Sequence, residues 1–287
     1  MTAATLLQKF RYTLELVKFS HSLFALPFAL AAFLVAARGR FSWTLLFWVV
    51  LCVVLARTAA MAFNRLADAR FDALNPRTKN RHIPAGLLSK SYVIALILIC
   101  SAGFLLAAWR INPLAFWLSP FCLAALFLYS LAKRFTDFTQ IILGFCLGMA
   151  PIGAAIAATG RIPIPSLVLG AAVLLWVAGF DLLYALQDLE FDREQGLRSL
   201  PVRLGLKGSL KLSSLCHAAF LALLVLYGLL EALGGFYWTG LGVSGAFLLW
   251  EHATIRDDLA KVNAAFFTAN GLLSVFFLAF TAADLYF

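Results

Sequence analysis

The chain has 287 residues, of which 63% are hydrophobic and 13% charged, against roughly half and about a quarter in soluble domains. With a mean hydropathy of +0.91, that balance excludes a water-soluble enzyme and predicts an all-α integral membrane protein in a lipid bilayer. The net charge of +9, from 23 Lys and Arg against 14 Asp and Glu, would suggest nucleic acid in a soluble chain. In a membrane chain it is read first as topology, and no nucleic-acid partner is expected.

Nine apolar runs are long enough to cross ~30 Å of hydrocarbon at about 1.5 Å per helical residue. The first, Phe19–Ala37, is too long for a cleavable signal peptide and lacks a small-residue cleavage site. The second, Thr44–Phe63, carries Arg57 inside the span, seven residues before Asn64 and so nearly on the same helical face. Out of it runs Asn64-x-x-x-Asp68-x-x-x-Asp72, whose steps of four make one polar stripe on a helix. A long connection, residues 64–91, follows and holds Arg77-Thr78-Lys79-Asn80-Arg81. The third and fourth runs are Tyr92–Trp109 and Pro113–Leu131, the latter closing on Tyr129 and followed by Lys133-Arg134.

The fifth run is Ile141–Thr159 and the sixth Leu167–Leu186. From the sixth emerges Asp181-x-x-Tyr184-x-x-x-Asp188-x-x-x-Asp192, again with its polar residues on one face, and a second long connection, 187–214. The last three runs are Leu215–Leu230, Phe236–Leu249 (the weakest) and Ala264–Tyr286. Five cysteines, Cys52, Cys100, Cys122, Cys146 and Cys216, lie in or beside apolar stretches with no C-x-x-C spacing. They read as packing residues.

If alternate connections share a side, eighteen basic residues fall on the side of the N-terminus and of both long connections. Only Arg38, Arg40, Arg110 and Arg161 fall on the other. The positive-inside rule then puts the N-terminus and the two connections in the cytoplasm and the C-terminus outside, in a multi-pass protein of the inner (plasma) membrane. No soluble domain or linker interrupts residues 1–287, which are expected to form a single membrane domain capped by 64–91 and 187–214.

The offset from Asp68 to Asp188 is 120 residues, and from Asp72 to Asp192 it is again 120. This predicts two four-helix pseudo-repeats plus a ninth helix. Carboxylates stacked at steps of four repel one another, at rising cost near a membrane boundary, unless cations bind between them. Carboxylate oxygens suit hard ions such as Mg²⁺, which commonly bridges carboxylates to phosphate oxygens. Solvated helix ends pairing with Arg65, Arg70 and Arg193 would explain neither the repeat nor Asp181 inside its span. The bases after the first stripe and at the end of the fourth run suit a diphosphate, or else anchor helix ends at the cytoplasmic face. Arg57 suits an anionic substrate group or a structural pair with Asp181.

Together the two acidic motifs, the Tyr129-to-Arg134 end of the fourth run and the nine runs resemble the UbiA superfamily of intramembrane aromatic prenyltransferases. The opening segment from Lys18 to Pro27 is similar to the branch that acts on 4-hydroxybenzoate. His82 departs from that pattern, where related sequences often carry Arg-Pro, so no role is carried to it. The resemblance implies a helical bundle around a central cavity that opens to lipid. It implies Mg²⁺ held by Asp68, Asp72, Asp188 and Asp192 with Asn64 assisting, and an allylic polyprenyl diphosphate bound by Arg77, Arg81, Lys133 and Tyr129. Arg57 would bind the carboxylate of the aromatic acid, and Asp181, with Asp68 and Asp188, would serve catalysis. The expected reaction joins the prenyl chain to a ring carbon of 4-hydroxybenzoate in ubiquinone-type quinone synthesis. Prenylation of 1,4-dihydroxy-6-naphthoate on a menaquinone route is the alternative, and no obligate protein partner is evident. A transporter built from repeats is the reading from a different class, but transport sites usually lie near the midplane, whereas these acids sit at the cytoplasmic edge.

Overall fold

A computed structural model describes residues 6–17, 22–257 and 262–287. Lys18 to His21 of the opening segment, and Lys261, lie outside the described residues. Among the described residues there is no strand. Twelve α-helices follow in order: α1 (Leu6–Leu16), α2 (Ser22–Ala36), α3 (Trp43–Ala67), α4 (Ala69–Leu74), α5 (Lys90–Ile111), α6 (Pro113–Leu131), α7 (Thr139–Thr159), α8 (Ile164–Ala185), α9 (Leu189–Glu194), α10 (Leu200–Leu230), α11 (Gly235–Asp257) and α12 (Val262–Tyr286).

Each of the nine expected runs falls on a helix, but not all of those helices have spanning character. Seven among the described residues are long and apolar enough to cross a membrane: α3, α5, α6, α7, α8, α10 and the part of α12 from Thr268. The apolar stretch of α2 is shorter, Phe24–Ala36, and α11 ends in Glu251, His252, Arg256 and Asp257, which dilute its hydropathy. The two long connections are largely helical. α3 runs four residues past its expected end, α4 follows, and α10 starts at Leu200, fifteen residues before the apolar run begins. That early part carries Arg203, Lys207 and Lys211, so hydropathy alone hides a helix whose ends are polar.

The chain divides into two compact units. The first comprises Met1–Ser22 and Phe47–Leu131. In it α5 packs along α6, joined by a short corner in which the Asn112 side chain accepts from the amide of Ala115 at 2.8 Å and Pro113 starts the helix, where a missing N–H costs nothing. Ser89 caps the N-terminus of α5 by accepting from the Tyr92 amide. A core of Leu16, Val17, Ala62, Leu88, Val93 and Ile97 ties α1, α3 and α5 together. Outward-facing Leu98, Ile99, Trp117 and Phe121 are all more than 60% exposed, as lipid-facing positions are.

The second unit comprises Leu23–Leu46 and Ala132–Phe287. Its centre is α8, packed along α7 and α10 and touching α12. A β-carbon added at Gly144 or Gly148 of α7 would run into the carbonyl oxygens of Leu174 and Gly170 on α8. Where lipid is as apolar as the side chains, such close backbone approach and dispersion contacts drive helix association. Trp176 is fully buried among Phe28, Phe180 and Phe220, with Phe28 stacked on Phe277 at 4.6 Å. α10 breaks at Gly205, whose φ of 66° is a conformation that costs glycine little and other residues much. The break lies five residues into the helix, just after the 187–199 segment.

Candidate active site

The first acidic motif sits where α3 gives way to α4. Asp68 has φ −91° and ψ 2°, in the bridge region just outside the helical well, so the helix flexes there without losing its ladder. The Asp68 amide still donates to the Asn64 carbonyl at 2.9 Å and the Asp72 amide to the Asp68 carbonyl at 2.8 Å. The expected stripe of Asn64, Asp68 and Asp72 therefore survives the break, and the Asn64 side-chain amide donates to Asp68 Oδ2 at 3.2 Å.

After α4 the chain folds back over Asp72. The Asn75 side chain accepts from the Arg77 amide at 2.9 Å and Thr78 Oγ1 donates to the Asp72 carbonyl at 3.1 Å. This turn delivers Arg81, whose Nη1 reaches Asp72 Oδ1 at 2.6 Å. Asp72 is only 6% exposed, and its second oxygen, Oδ2, is buried without a hydrogen-bond partner. An ionised carboxylate held that far from water needs compensation, and the guanidinium supplies it at one oxygen. Arg77 is exposed on the same turn. Arg57 lies seven residues back along α3, its Nε also buried without a partner.

The second motif repeats this local geometry in the other unit. α8 ends at Ala185, one 3-10 turn spans Leu186–Asp188, and α9 follows. Asp188 has φ −105° and ψ 8°, the counterpart of the Asp68 break, and α9 occupies the same place relative to Asp188 as α4 does to Asp68. Asp192, 2% exposed, is held by Lys133 Nζ at 2.7 Å. Lys133 stands on a 3-10 turn, Ala132–Arg134, whose carbonyl at Lys133 accepts from the Arg198 amide at 2.8 Å. The Leu197 amide closes on the Asp192 carbonyl, also at 2.8 Å. Asp181, near the end of α8, is half-buried.

Arg81 is thus placed with Asp72 in the first unit and Lys133 with Asp192 in the second. Tyr129, at the end of α6 in the first unit, is half-buried. Sequence reasoning passed over Asn75 and Thr78, 7% and 4% exposed, which shape the turn carrying Arg81. It also passed over Gln140, whose side chain accepts from the Leu200 amide. The clue was present in Asn75-Pro76 and in Ser199 two residues before Pro201, residue types that punctuate helices. His82, left without a role, binds Glu15 of α1 at 3.2 Å. Glu15 also pairs with Arg11 at 2.8 Å, and these contacts, Arg11 first, hold its carboxyl below the usual range.

The donor set fits a hard divalent cation in chemistry: oxygen ligands only, one of them a buried carboxylate oxygen with nothing bound to it. Among the described residues, no three or more His, Cys, Asp or Glu side chains stand close enough to enclose an ion by themselves. Oxygens from a phosphorylated ligand would have to complete the shell, as is usual for Mg²⁺.

Comparison with known proteins agrees with this chemistry. The sequence matches the model of the UbiA prenyltransferase family over residues 25–281. A 4-hydroxybenzoate octaprenyltransferase from Vibrio parahaemolyticus is 32% identical over 240 residues, covering 83% of this chain and 84% of that protein. The apo structure of a UbiA homolog from Aeropyrum pernix superposes with a TM-score of 0.85 at 33% identity, over 92% of this chain and 98% of that one. The fold is shared with a UbiA homolog from Archaeoglobus fulgidus bound to DMAPP and Mg²⁺, at a TM-score of 0.73 and 21% identity over 95% and 98% of the two chains. The protein belongs to the UbiA prenyltransferase family.

Proposed function

We propose that the protein transfers a polyprenyl group from an allylic polyprenyl diphosphate to a ring carbon of 4-hydroxybenzoate, in ubiquinone-type quinone synthesis, with Mg²⁺ as cofactor. The observation that carries prenyl transfer is the acidic corner found twice, with the same backbone break at its middle aspartate and a buried, base-paired final aspartate. The choice of acceptor is supported by the curated relatives, which act on 4-hydroxybenzoate by name.

In this reading Asn64, Asp68, Asp72, Asp188 and Asp192 are the residues that hold magnesium and diphosphate. Bound there, Mg²⁺ supplies charge neutralisation that makes diphosphate a leaving group. Arg77, Arg81, Lys133 and Tyr129 supply donors to the departing oxygens. Arg57, whose Nε has no protein partner, binds the acceptor carboxylate. Departure of the diphosphate leaves an allylic cation, which the ring attacks ortho to its hydroxyl, losing a proton from that carbon. Asp181, within the span, faces the positive charge as it develops. The apolar surroundings exclude the water that would otherwise quench the cation.

The domain is read as one membrane domain of nine spans in two four-helix repeats plus a ninth helix, with α2 and α11 completing the seven. The N-terminus and both acidic corners face the cytoplasm of the inner membrane and the C-terminus lies outside, as the basic residues distribute. The test is direct. Membranes containing the protein, Mg²⁺, geranyl diphosphate and labelled 4-hydroxybenzoate are expected to yield a lipid-soluble prenylated product, and EDTA to abolish it. Product from 1,4-dihydroxy-6-naphthoate assayed in parallel, with none from 4-hydroxybenzoate, would redirect the assignment to the menaquinone route.

A further inference from the structure

We propose that Arg81 and Lys133 are exchangeable counter-ions: in the ligand-free protein they occupy Asp72 and Asp192, and they move onto diphosphate only when a divalent cation displaces them. This rests on the function proposed above and adds how its metal and its substrate are coupled.

The geometry carries it twice over. Each motif ends in a carboxylate more than nine-tenths buried, Asp72 at 6% and Asp192 at 2% exposure. Arg81 reaches the first at 2.6 Å and Lys133 the second at 2.7 Å. The bases are themselves accessible, with side chains 27% and 38% exposed, so they have room to leave. The two attachments span different lengths of chain, nine residues for Arg81 and fifty-nine for Lys133. A base in the same role thus comes from unrelated parts of the chain.

What the pairs do follows from the cost of burying charge. An empty cation site lined by carboxylates is destabilised by repulsion and desolvation, and a resident base relieves both. A divalent ion at the same carboxylate repels that base, and a guanidinium or ammonium released beside the corner finds its best new partner in phosphate oxygens. Metal binding then prepares the diphosphate site, and diphosphate, by holding the bases away, strengthens metal binding. Linkage makes the two effects equal in size. Asp72 Oδ2, buried without a partner, is the carboxylate oxygen left for the ion once Arg81 moves away.

The test uses purified full-length protein, Mn²⁺ followed by electron paramagnetic resonance, and inorganic diphosphate. The wild type is expected to bind Mn²⁺ roughly 10-fold or more tightly once diphosphate is present, within the range of ordinary coupling. Arg81→Gln and Lys133→Gln are each expected to bind Mn²⁺ alone about 3- to 10-fold more tightly than the wild type and to lose most of the enhancement by diphosphate. A second readout needs no variant: acylation of Lys133 by an amine-selective reagent, followed by peptide mass spectrometry. It is expected to rise when Mn²⁺ is added alone and to fall again when diphosphate follows. Unchanged or weaker Mn²⁺ binding by the variants, or Lys133 labelling that does not rise with Mn²⁺, overturns the exchange while leaving the proposed function standing. Failure of the wild type to bind Mn²⁺ with or without diphosphate overturns the proposed function itself, and the exchange with it.

Discussion

The two acidic corners reach one local geometry by different routes. In the first, Asp72 and its base lie nine residues apart on one continuous turn, shaped by Asn75 and Thr78. In the second, the base for Asp192 comes from the connection between α6 and α7, and the Arg198 amide must bond to the Lys133 carbonyl to seat it. The first corner is therefore locally encoded, whereas the second exists only once α7, α8 and α10 have packed. Equal chemistry with unequal dependence on packing is the pattern that substitutions should expose.

The largest effect is expected where the corners are alike. Asp68→Ala and Asp188→Ala should each lower prenyl transfer on the order of 10³-fold, as loss of a strongly held charge-stabilising group does, with both variants still folded by circular dichroism. A variant retaining most of its turnover would break the equivalence of the two corners. Next come the bases. Removing Lys133 takes a close cationic partner from the buried Asp192, and breaking such pairs costs several kcal/mol when both partners are buried. With Lys133 partly exposed, the expected loss is about 1–3 kcal/mol. Thermal unfolding should show Lys133→Ala lowering the midpoint more than Arg81→Ala, because the neighbouring turn remains in place in the first corner. The opposite order would contradict the local and non-local distinction.

Arg57→Ala should raise KM for 4-hydroxybenzoate roughly 10-fold, the worth of one charge-assisted hydrogen bond, with a smaller change for the prenyl donor. The reverse split would move Arg57 from the acceptor to the diphosphate. The smallest effect concerns the first unit's attachment of α1. Glu15 titrates below its ordinary value of 4.5 because Arg11 and His82 bind its ionised form. Its contribution is present above the ordinary value and is lost as the pH falls through the lower folded value. The protection of the amides over residues 11–16, taken relative to their intrinsic exchange rate at each pH, should therefore fall in that acid window, and Glu15→Gln should remove that fall.

Much of this was legible in the residue order. Apolar runs mark the helices because lipid demands continuous hydrophobicity, and the steps of four mark the stripes because helix geometry requires them. The bends at Asp68 and Asp188 were not legible, since the i to i+4 spacing reads the same whether or not the backbone relaxes into the bridge region. The pairing of Lys133 with Asp192 was hidden because sequence does not show which distant turn packs beneath α9. A buried polar chain also went unseen, in which Trp176 Nε1 donates to Asn270 at 2.8 Å and Asn270 donates to Glu251 at 2.6 Å. Its one sequence signal was an acid two residues past the weakest apolar run, where a helix end and a buried carboxyl look the same. Helix α1 escaped for a related reason: an amphipathic segment of eleven residues is too short and too polar to register as a span.

The most direct test of the proposed magnesium and diphosphate site is the stoichiometry of geranyl diphosphate binding in the presence of Mg²⁺, measured by isothermal titration on the wild type, Asp68→Ala and Asp188→Ala. The account predicts one diphosphate per chain in the wild type and loss of that binding in either variant. Full binding retained when either corner is disabled, or two independent sites per chain, would contradict it.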